Sequence, residues 1–542
     1  MRAGDRLVLF PTLRYPTSVF STLRIPKAPS FWYRAGLVIA TGLFINSILT
    51  GGLVWDEPNE FDKLAFQLSF ARDVLAGSTD RTFRAFPFDW AFYGVGSALP
   101  AYALSYLIDG WLTRVPHTFD HSYSLLLHVI SFLCMIAGVS YTRRLVYLAT
   151  GERETAFLAG IVLLVTPFWV GYGFFDYKDM PVAAGIVAAT YYAARYMQDA
   201  RSSTSCSFFF ALLFLGVQKL AVIPLAMPAC VAVLYAAARK PSPRRLAILA
   251  LQAALFLFVL YVATPPAWQE PFAFVTTSIT YMSQHTLGGC TLTAGQCIGR
   301  DFDGGNGYSA IKYLGLWYAV QFPLLLAIGL LASICLYVKS FRQARPCQHL
   351  LMAAVVWPIA AVSLRNSTLY DGIRHTLFLM PLVVALVFIT IPGSFWWKGR
   401  WWLACYFVFL LVDAMRLQPY QYVWFNEPAR FFASEKNYET DYWGYSMRQV
   451  AIRARDLQGP TDWVVSPKYH LNPSHLVRIF ISERFSRELS SVPLGATYFL
   501  VSSTRQNAQA PKECGNAEYV SRHQLLAPGP LHFAFLAKCR KE

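Results

Sequence analysis

Charge is scarce in this chain. Only 14% of its 542 residues are Asp, Glu, Lys or Arg, against 55% hydrophobic, whereas a soluble domain carries roughly 25% charged residues. With a mean hydropathy of +0.37, that scarcity excludes an ordinary soluble globular protein. Acidic residues are the rarer sign: 31 Asp and Glu stand against 47 Lys and Arg, a net charge of +16. A basic balance can signal nucleic acid. Here, however, Lys and Arg gather in short loops between apolar runs and form no single binding face, which excludes that partner. The chain also lacks a fixed-period repeat and any Cys–His spacing of the zinc-binding kind. Near its start no short apolar core leads to a small-residue cleavage site, so no cleavable signal peptide is expected.

What the chain has instead is a series of apolar stretches of about 17 to 25 residues, each long enough to cross a bilayer. The expected fold is a polytopic α-helical membrane protein with about eleven spans. They are placed at 34–54, 122–142, 155–174, 181–197, two short helices within 206–238, 246–264, 317–338, 349–364, 375–392 and 401–418. The basic segment 1–33, with Arg2, Arg6, Arg14, Arg24 and Lys27, is expected in the cytoplasm. Outer loops then fall at 55–121 and 265–316. To keep Arg143 and Arg144 on the inner side, 92–112 is taken as an interfacial helix beside 61–76. The latter places Phe61, Leu64, Leu68, Ala71 and Leu75 on one stripe, with Asp62, Lys63, Gln67, Arg72 and Asp73 opposite. From 419 to 542 the chain turns polar. "DWVVSP", "ATYFLVSS" and "LHFAFLAKC" read as short strands of a small α/β domain on the outer side. Cys290 and Cys297 share one outer loop, and Cys514 and Cys539 share this domain, so two disulfides are expected in an oxidising compartment.

Carboxylates and cations recur where the apolar runs meet the outer loops. "VWDEPNEF" carries Asp56 and Glu57, and "FFDYKDMP" carries Asp176, Lys178 and Asp179. "YDGIRH" supplies Tyr370, Asp371, Arg374 and His375, "PPAWQEP" supplies Trp268 and Glu270, and Lys219 interrupts an apolar run. Ionisable groups at membrane depth are costly, so their convergence marks a site. A carboxylate beside such cations can do acid–base work on a substrate whose phosphate the cations hold. Each motif alone also fits a solvated loop, a local ion pair or an interface anchor. Asp56, Glu57 and Asp176 are too few to name a divalent metal.

Taken in order, "WDEPNEF", "FFDYKDMP", "KYLGLWYAVQFP", "LYDGIRHTLFLMP" and "RLQPYQYVWFNEP…YETDYWGYS" resemble the GT-C class of membrane glycosyltransferases. The likeness is to the branch of protein O-mannosyltransferases and lipid A aminoarabinose transferases, and it covers residues 33 to about 450. It implies a polyprenyl-phosphate-linked sugar donor and inverting transfer to an envelope lipid, glycan or protein. The active site would face outward from the cytoplasmic (inner) membrane. On that resemblance Asp56 is the general base, Glu57 positions it or the acceptor, and Asp176 orients acceptor or donor. Lys178 and Arg374, with His375 and Lys219, would hold the donor phosphate, and Tyr370, Asp371, Trp268 and Glu270 would contact sugar or acceptor. Where the family often has His before "PYQY" and a Gly-Gly pair after it, this chain has Gln418 and "EPARFF". No "WWD" triplet is present, which argues against transfer of a preassembled oligosaccharide to asparagine. The competing reading is a transporter or a lipid or glycan flippase. Transporters often carry internal repeats and broken helices near the midplane, whereas these charges sit in outer loops of an unrepeated chain.

Overall fold

The computed structural model describes residues 28–77, 82–87, 90–112, 122–239, 241–285, 289–300, 307–467, 472–481 and 484–541. The basic segment 1–27 and parts of the expected loops 55–121 and 265–316 lie outside them.

The chain is a polytopic helical membrane protein. Five helices are long and apolar enough to cross a bilayer: Pro29–Thr50, Ser122–Thr150, Leu220–Arg239, Pro243–Val262 and Pro346–Leu364. A bent pair makes a sixth, and shorter apolar helices accompany them. In chain order, α1 (Ala28–Thr50) leads to α2 (Glu57–Leu75), α3 (Ala98–Leu112) and the long α4 (Ser122–Thr150). Then come α5 (Arg153–Val165) and α6 (Pro167–Gly173). Pro167 has no N–H to continue α5, and the two helices meet at 71°. The bend aims the wholly buried α6 at the segment 174–178. At Gly171 a Cβ would lie 2.4 Å from the backbone nitrogen of Tyr422, so glycine permits this close crossing.

The order continues with α7 (Asp179–Asp199), α8 (Ser202–Gln218), α9 (Met227–Arg239), α10 (Pro243–Val262) and α11 (Pro271–Gln284). A hairpin follows, β1 (Thr291–Thr293) and β2 (Gln296–Ile298), closed by the Cys290–Cys297 disulfide. Next are α12 (Ala310–Gln321), α13 (Leu324–Lys339), α14 (Pro346–Leu364), α15 (Leu379–Thr390), α16 (Gly393–Lys398) and α17 (Arg400–Arg416). The run 206–238 is indeed two helices, parted at Lys219, whose extended backbone (φ −163°, ψ 100°) ends α8. The expected span 317–338 is not one helix. Pro323 divides it between α12 and α13, because a proline ring excludes the helical conformation of the residue before it.

The polar remainder contains α18 (Met447–Leu457), β3 (Trp463–Val465), α19 (Ser474–Phe480), β4 (Phe485–Ser486), β5 (Thr497–Ser503), β6 (Glu518–Arg522) and β7 (Leu531–Arg540). Its mixed sheet runs β4–β3–β5–β7–β6, parallel on the β3 side and antiparallel around β7. Cys514–Cys539 ties the segment before β6 to β7. This unit does not begin at 419. Tyr420, Tyr422, Trp424, Tyr442 and Tyr445 belong to the main helical core, as do Leu531 and Phe533 of β7, while Met447, Val450 and Ala451 pack with Leu53 and with residues of the sheet and α19 in a second core. Aromatic bulk buries that stretch although its hydrogen-bonding groups made it look polar.

Helix α2 keeps most of its apolar stripe on the surface but turns Leu64 and part of its polar side into the protein. Glu57, Glu60, Lys63, Gln67 and Phe70 are buried, whereas Phe61, Leu68 and Leu75 are exposed. The buried polar groups have partners inside: Lys63 donates to Glu60, and the Gln67 amide donates to the carbonyls of Trp90 and Tyr93. Of the apolar stripe, Leu64 is buried, while Phe61, Leu68 and Leu75 stay exposed.

Candidate active site

Asp56 sits between α1 and α2. Trp55 fixes its backbone on both sides: its N–H donates 3.0 Å to the Trp443 carbonyl, and its carbonyl accepts from His475 Nε2 at 2.9 Å. The Asp56 side chain does not cap α2. Instead it accepts from Lys178 Nζ at 2.8 Å and remains 32% exposed, the most accessible of the paired carboxylates around Lys178. The same ammonium lies 2.9 Å from Glu60, which Lys63 reaches at 2.7 Å. Burial works against ionisation of Asp56 and Glu60, but Lys178 and Lys63 outweigh it and hold both below their ordinary range. Glu57 and His128 form a fully buried pair at 2.5 Å. Burial raises the Glu57 carboxyl despite the histidine, and neither side chain is open to a substrate.

Asp176 follows α6 and starts α7. Its Oδ1 accepts the backbone N–H groups of Lys178 and Asp179 at 3.3 and 2.9 Å, satisfying donors that the first helical turn leaves free. Its Oδ2 is buried without a partner. Burial, then the charge of Asp179, pushes its pKa up to about 8. It holds the start of α7 and the backbone of its neighbour Lys178 in place.

The second group of charges is carried by the turn 370–375. Asp371 and Gly372 both have positive φ, 56° and 76°, and this tight turn places Arg374 just before α15. The Arg374 guanidinium is stacked between Tyr370 and Trp443, 4.5 and 4.6 Å from their ring centres. It lies 3.7 Å from Asp371, whose other oxygen takes a 2.7 Å hydrogen bond from Arg505. Arg505 comes from the segment after β5 and also donates to the Tyr442 carbonyl at 2.7 Å. Two guanidiniums thus share one carboxylate, and the buried Arg374 Nε has no partner. His375 packs edge-on against Tyr370. Burial and then Arg374 keep it well below its usual pKa, so it is neutral near pH 7.

Arg374, His375 and Tyr370 line a cavity with Lys219, Arg365, Asp179 and Tyr93, and its walls continue through Val182, Leu225, Ile279 and Phe378. Three cations face one carboxylate there. Tyr93 joins the two groups, with the ammoniums of Lys63, Lys178 and Lys219 lying 4.8, 4.6 and 5.6 Å from its ring centre.

Of the residues singled out by sequence, Asp56, Lys178 and Asp176 gather at the start of α7, and Tyr370, Arg374, His375 and Lys219 gather at the cavity. Lys178 is held between two carboxylates and is not on the cavity wall. Asp371 contacts Arg374 and Arg505 and does not line the cavity. Trp268 and Glu270 stand apart. Trp268 exchanges hydrogen bonds with Tyr261, and Glu270 pairs with Arg84 at 2.6 Å on the surface. A cluster of Phe70, Phe83, Phe92, Ala267 and Phe274 pins that loop. Sequence reasoning missed Glu60, Lys63, Tyr93, His128 and Arg505. The first two share the buried face of α2 with Glu57 and Gln67, a polar periodicity that could have been read as pointing inward. Among the described residues no group of three or more His, Cys, Asp or Glu side chains could hold a metal ion.

No family model matches this chain, and no curated protein matches it significantly. Among solved structures it is similar to ArnT from Cupriavidus metallidurans in the apo state. The identity is 13% and the TM-score 0.44, over 94% of this chain and 98% of that one. It is likewise similar to ArnT from the same organism bound to undecaprenyl phosphate, at 12% identity and a TM-score of 0.41 over the same shares.

Proposed function

We propose that this protein transfers a sugar from a polyprenyl-phosphate donor to an acceptor hydroxyl at the outer face of the cytoplasmic membrane, inverting the anomeric centre. In this reading the N-terminus lies inside, about eleven helical segments cross the bilayer, and the sheet-bearing unit lies outside. One observation carries the assignment: a single cavity combines apolar walls with an excess of positive charge. Such a cavity accepts a lipid tail along Val182, Leu225, Ile279 and Phe378 and a phosphate at Arg374 and Lys219. Neutral His375 can donate a hydrogen bond there.

In the reaction the acceptor oxygen bonds to the anomeric carbon as the bond from that carbon to the phosphate oxygen breaks. Asp56 takes the hydroxyl proton. The electron pair stays with the departing polyprenyl phosphate, whose growing charge Arg374 and Lys219 stabilise. Lys178 keeps Asp56 ionised and aimed, and Glu57 acts only through the packing of α2 on His128. Asp56 is ready at neutral pH because its pKa is depressed, although that same depression limits its strength as a base.

The test uses purified protein in nanodiscs with a labelled polyprenyl-phosphate sugar and extracted envelope lipids, glycans and proteins. Labelled acceptor should form in step with free polyprenyl phosphate. Movement of intact donor across the bilayer without its consumption would favour the flippase reading instead.

A further inference from the structure

A second charged cavity lies at the opposite end of the helices. Arg143 is about 22 Å further along α4 than His128, at 1.5 Å of rise per residue. There Arg143 and Arg144 from α4, Arg153 and Glu154 from α5, Ser30 from α1 and Tyr147 line one cavity. Ser30 is in the first turn of α1, while Arg153 and Glu154 open α5. The N-terminus of α5 therefore presents its positive end to this space.

Arg144 and Arg153 are exposed, whereas Arg143 is partly buried. The Arg143 guanidinium lies 5.2 and 5.0 Å from the ring centres of Tyr33 and Phe157, which fixes its plane. Its Nε is buried with no hydrogen-bond partner. Arg144 is held 5.6 Å from the ring centre of Tyr141. Three guanidiniums face the lone carboxylate of Glu154, so the cavity has excess positive charge. Planar, multidentate guanidiniums suit phosphate oxygens.

We propose that this cavity binds the phosphate headgroup of an anionic phospholipid from the leaflet at this end of the protein. The lipid source is favoured by Phe31 and Trp32, 62% and 60% exposed in the first turn of α1 beside Ser30. Exposed aromatics at a span's end sit at headgroup depth. The chain's own residues 1–27 make a poor occupant, because they carry Arg2, Arg6, Arg14, Arg24 and Lys27 against Asp5 alone. The site is separate from the transfer cavity and does not depend on the proposed reaction.

Native mass spectrometry of the full chain, purified in mixed micelles of phosphatidylglycerol and phosphatidylcholine, tests the proposal. Wild type should retain at least one phosphatidylglycerol, about fivefold in excess of phosphatidylcholine. Arg143→Lys keeps the charge but loses the fork and should lower retention several-fold. Arg143→Gln/Arg144→Gln/Arg153→Gln should abolish the preference. The exposed Arg153→Gln alone, which carries little folding risk, should give a partial loss. Inorganic phosphate at 10 mM should leave the lipid bound. Equal retention by wild type and Arg153→Gln together with Arg143→Lys would overturn the proposal. Complete displacement by phosphate would do the same, because it would make this a site for a soluble anion.

Discussion

The two groups of charges on either side of Tyr93 differ in how their charges are answered. Around Lys178, the carboxylates Asp56 and Glu60 meet two ammoniums, Lys178 and Lys63, at 2.7 to 2.9 Å. In the cavity, Lys219, Arg365 and Arg374 face Asp179, and the Asp371 carboxylate behind them is already divided between two arginines. A balanced cluster fixes geometry, since each charge is held by its neighbours. An unbalanced one leaves attraction for an incoming anion. In the proposed function the first group does the chemistry and the second binds the donor.

The comparison breaks most severely at its hinge. Lys178→Ala leaves Asp56 unpaired and Glu60 with one cation. Removing one partner of a largely buried pair typically costs about 3 to 5 kcal/mol. Thermal unfolding in detergent should show a large drop, and sugar transfer should be lost. A wild-type melting temperature would mean that water already answers these carboxylates.

Arg374→Ala tests the cavity. Losing a charge-assisted contact to the phosphate should cost about 2 to 3 kcal/mol in kcat/KM for the donor, roughly 30- to 150-fold. Acceptor KM should stay unchanged. Steady-state kinetics with varied donor separates this outcome from an interface anchor, which would leave both constants alone.

Arg505→Ala should act more weakly in the same direction, raising donor KM on the order of tenfold, because it releases Asp371 to draw Arg374 from the phosphate. The double variant Arg374→Ala/Arg505→Ala should be no worse than Arg374→Ala. Full additivity would show that Arg505 acts elsewhere.

Asp176 gives a smaller, pH-dependent effect. Its folded pKa, pushed up to about 8, lies above its unfolded value of about 4. Between those values the native state holds a proton that the unfolded chain releases, so its contribution to stability falls as pH rises from about 4 to about 8. Asp176→Asn should flatten the dependence of Tm on pH across that window. An unchanged slope would place the carboxyl's pKa near its ordinary value.

Trp268→Ala and Glu270→Gln should do least. Glu270 is paired with a partly exposed arginine, a contact worth at most about 1 kcal/mol, and transfer kinetics should remain within about twofold of wild type. A large loss of activity would return this loop to the site.

Much of the helical framework was legible because hydropathy and proline act locally. The break at Lys219 and the strands at 463–465, 497–503 and 531–540 follow from that kind of signal. "YKDMP" and "DGIRH" likewise pointed to Lys178 and Arg374. What the sequence could not show is who answers whom. Lys178 pairs with Asp56, 122 residues away, and Arg505 with Asp371, 134 residues away. Helix α2 was readable as amphipathic, but not which face turns inward, because its buried side is stabilised by partners from other segments. Trp268 and Glu270 misled for the same reason, since an outer-loop carboxylate looks alike whether it faces a substrate or Arg84. The tyrosines between 420 and 445 looked polar until the core around them was in view.

The central claim is that Asp56 does the chemistry while the cavity holds the donor. Asp56→Asn keeps the side chain's size and its contact with Lys178 but cannot take up the hydroxyl proton as a carboxylate does. Donor binding and single-turnover transfer should therefore be measured on one nanodisc preparation of this variant. Donor affinity should stay within a few-fold of wild type, and the transfer rate should fall by about 10²- to 10⁴-fold, the usual contribution of a positioned base. Transfer at the wild-type rate would contradict the account.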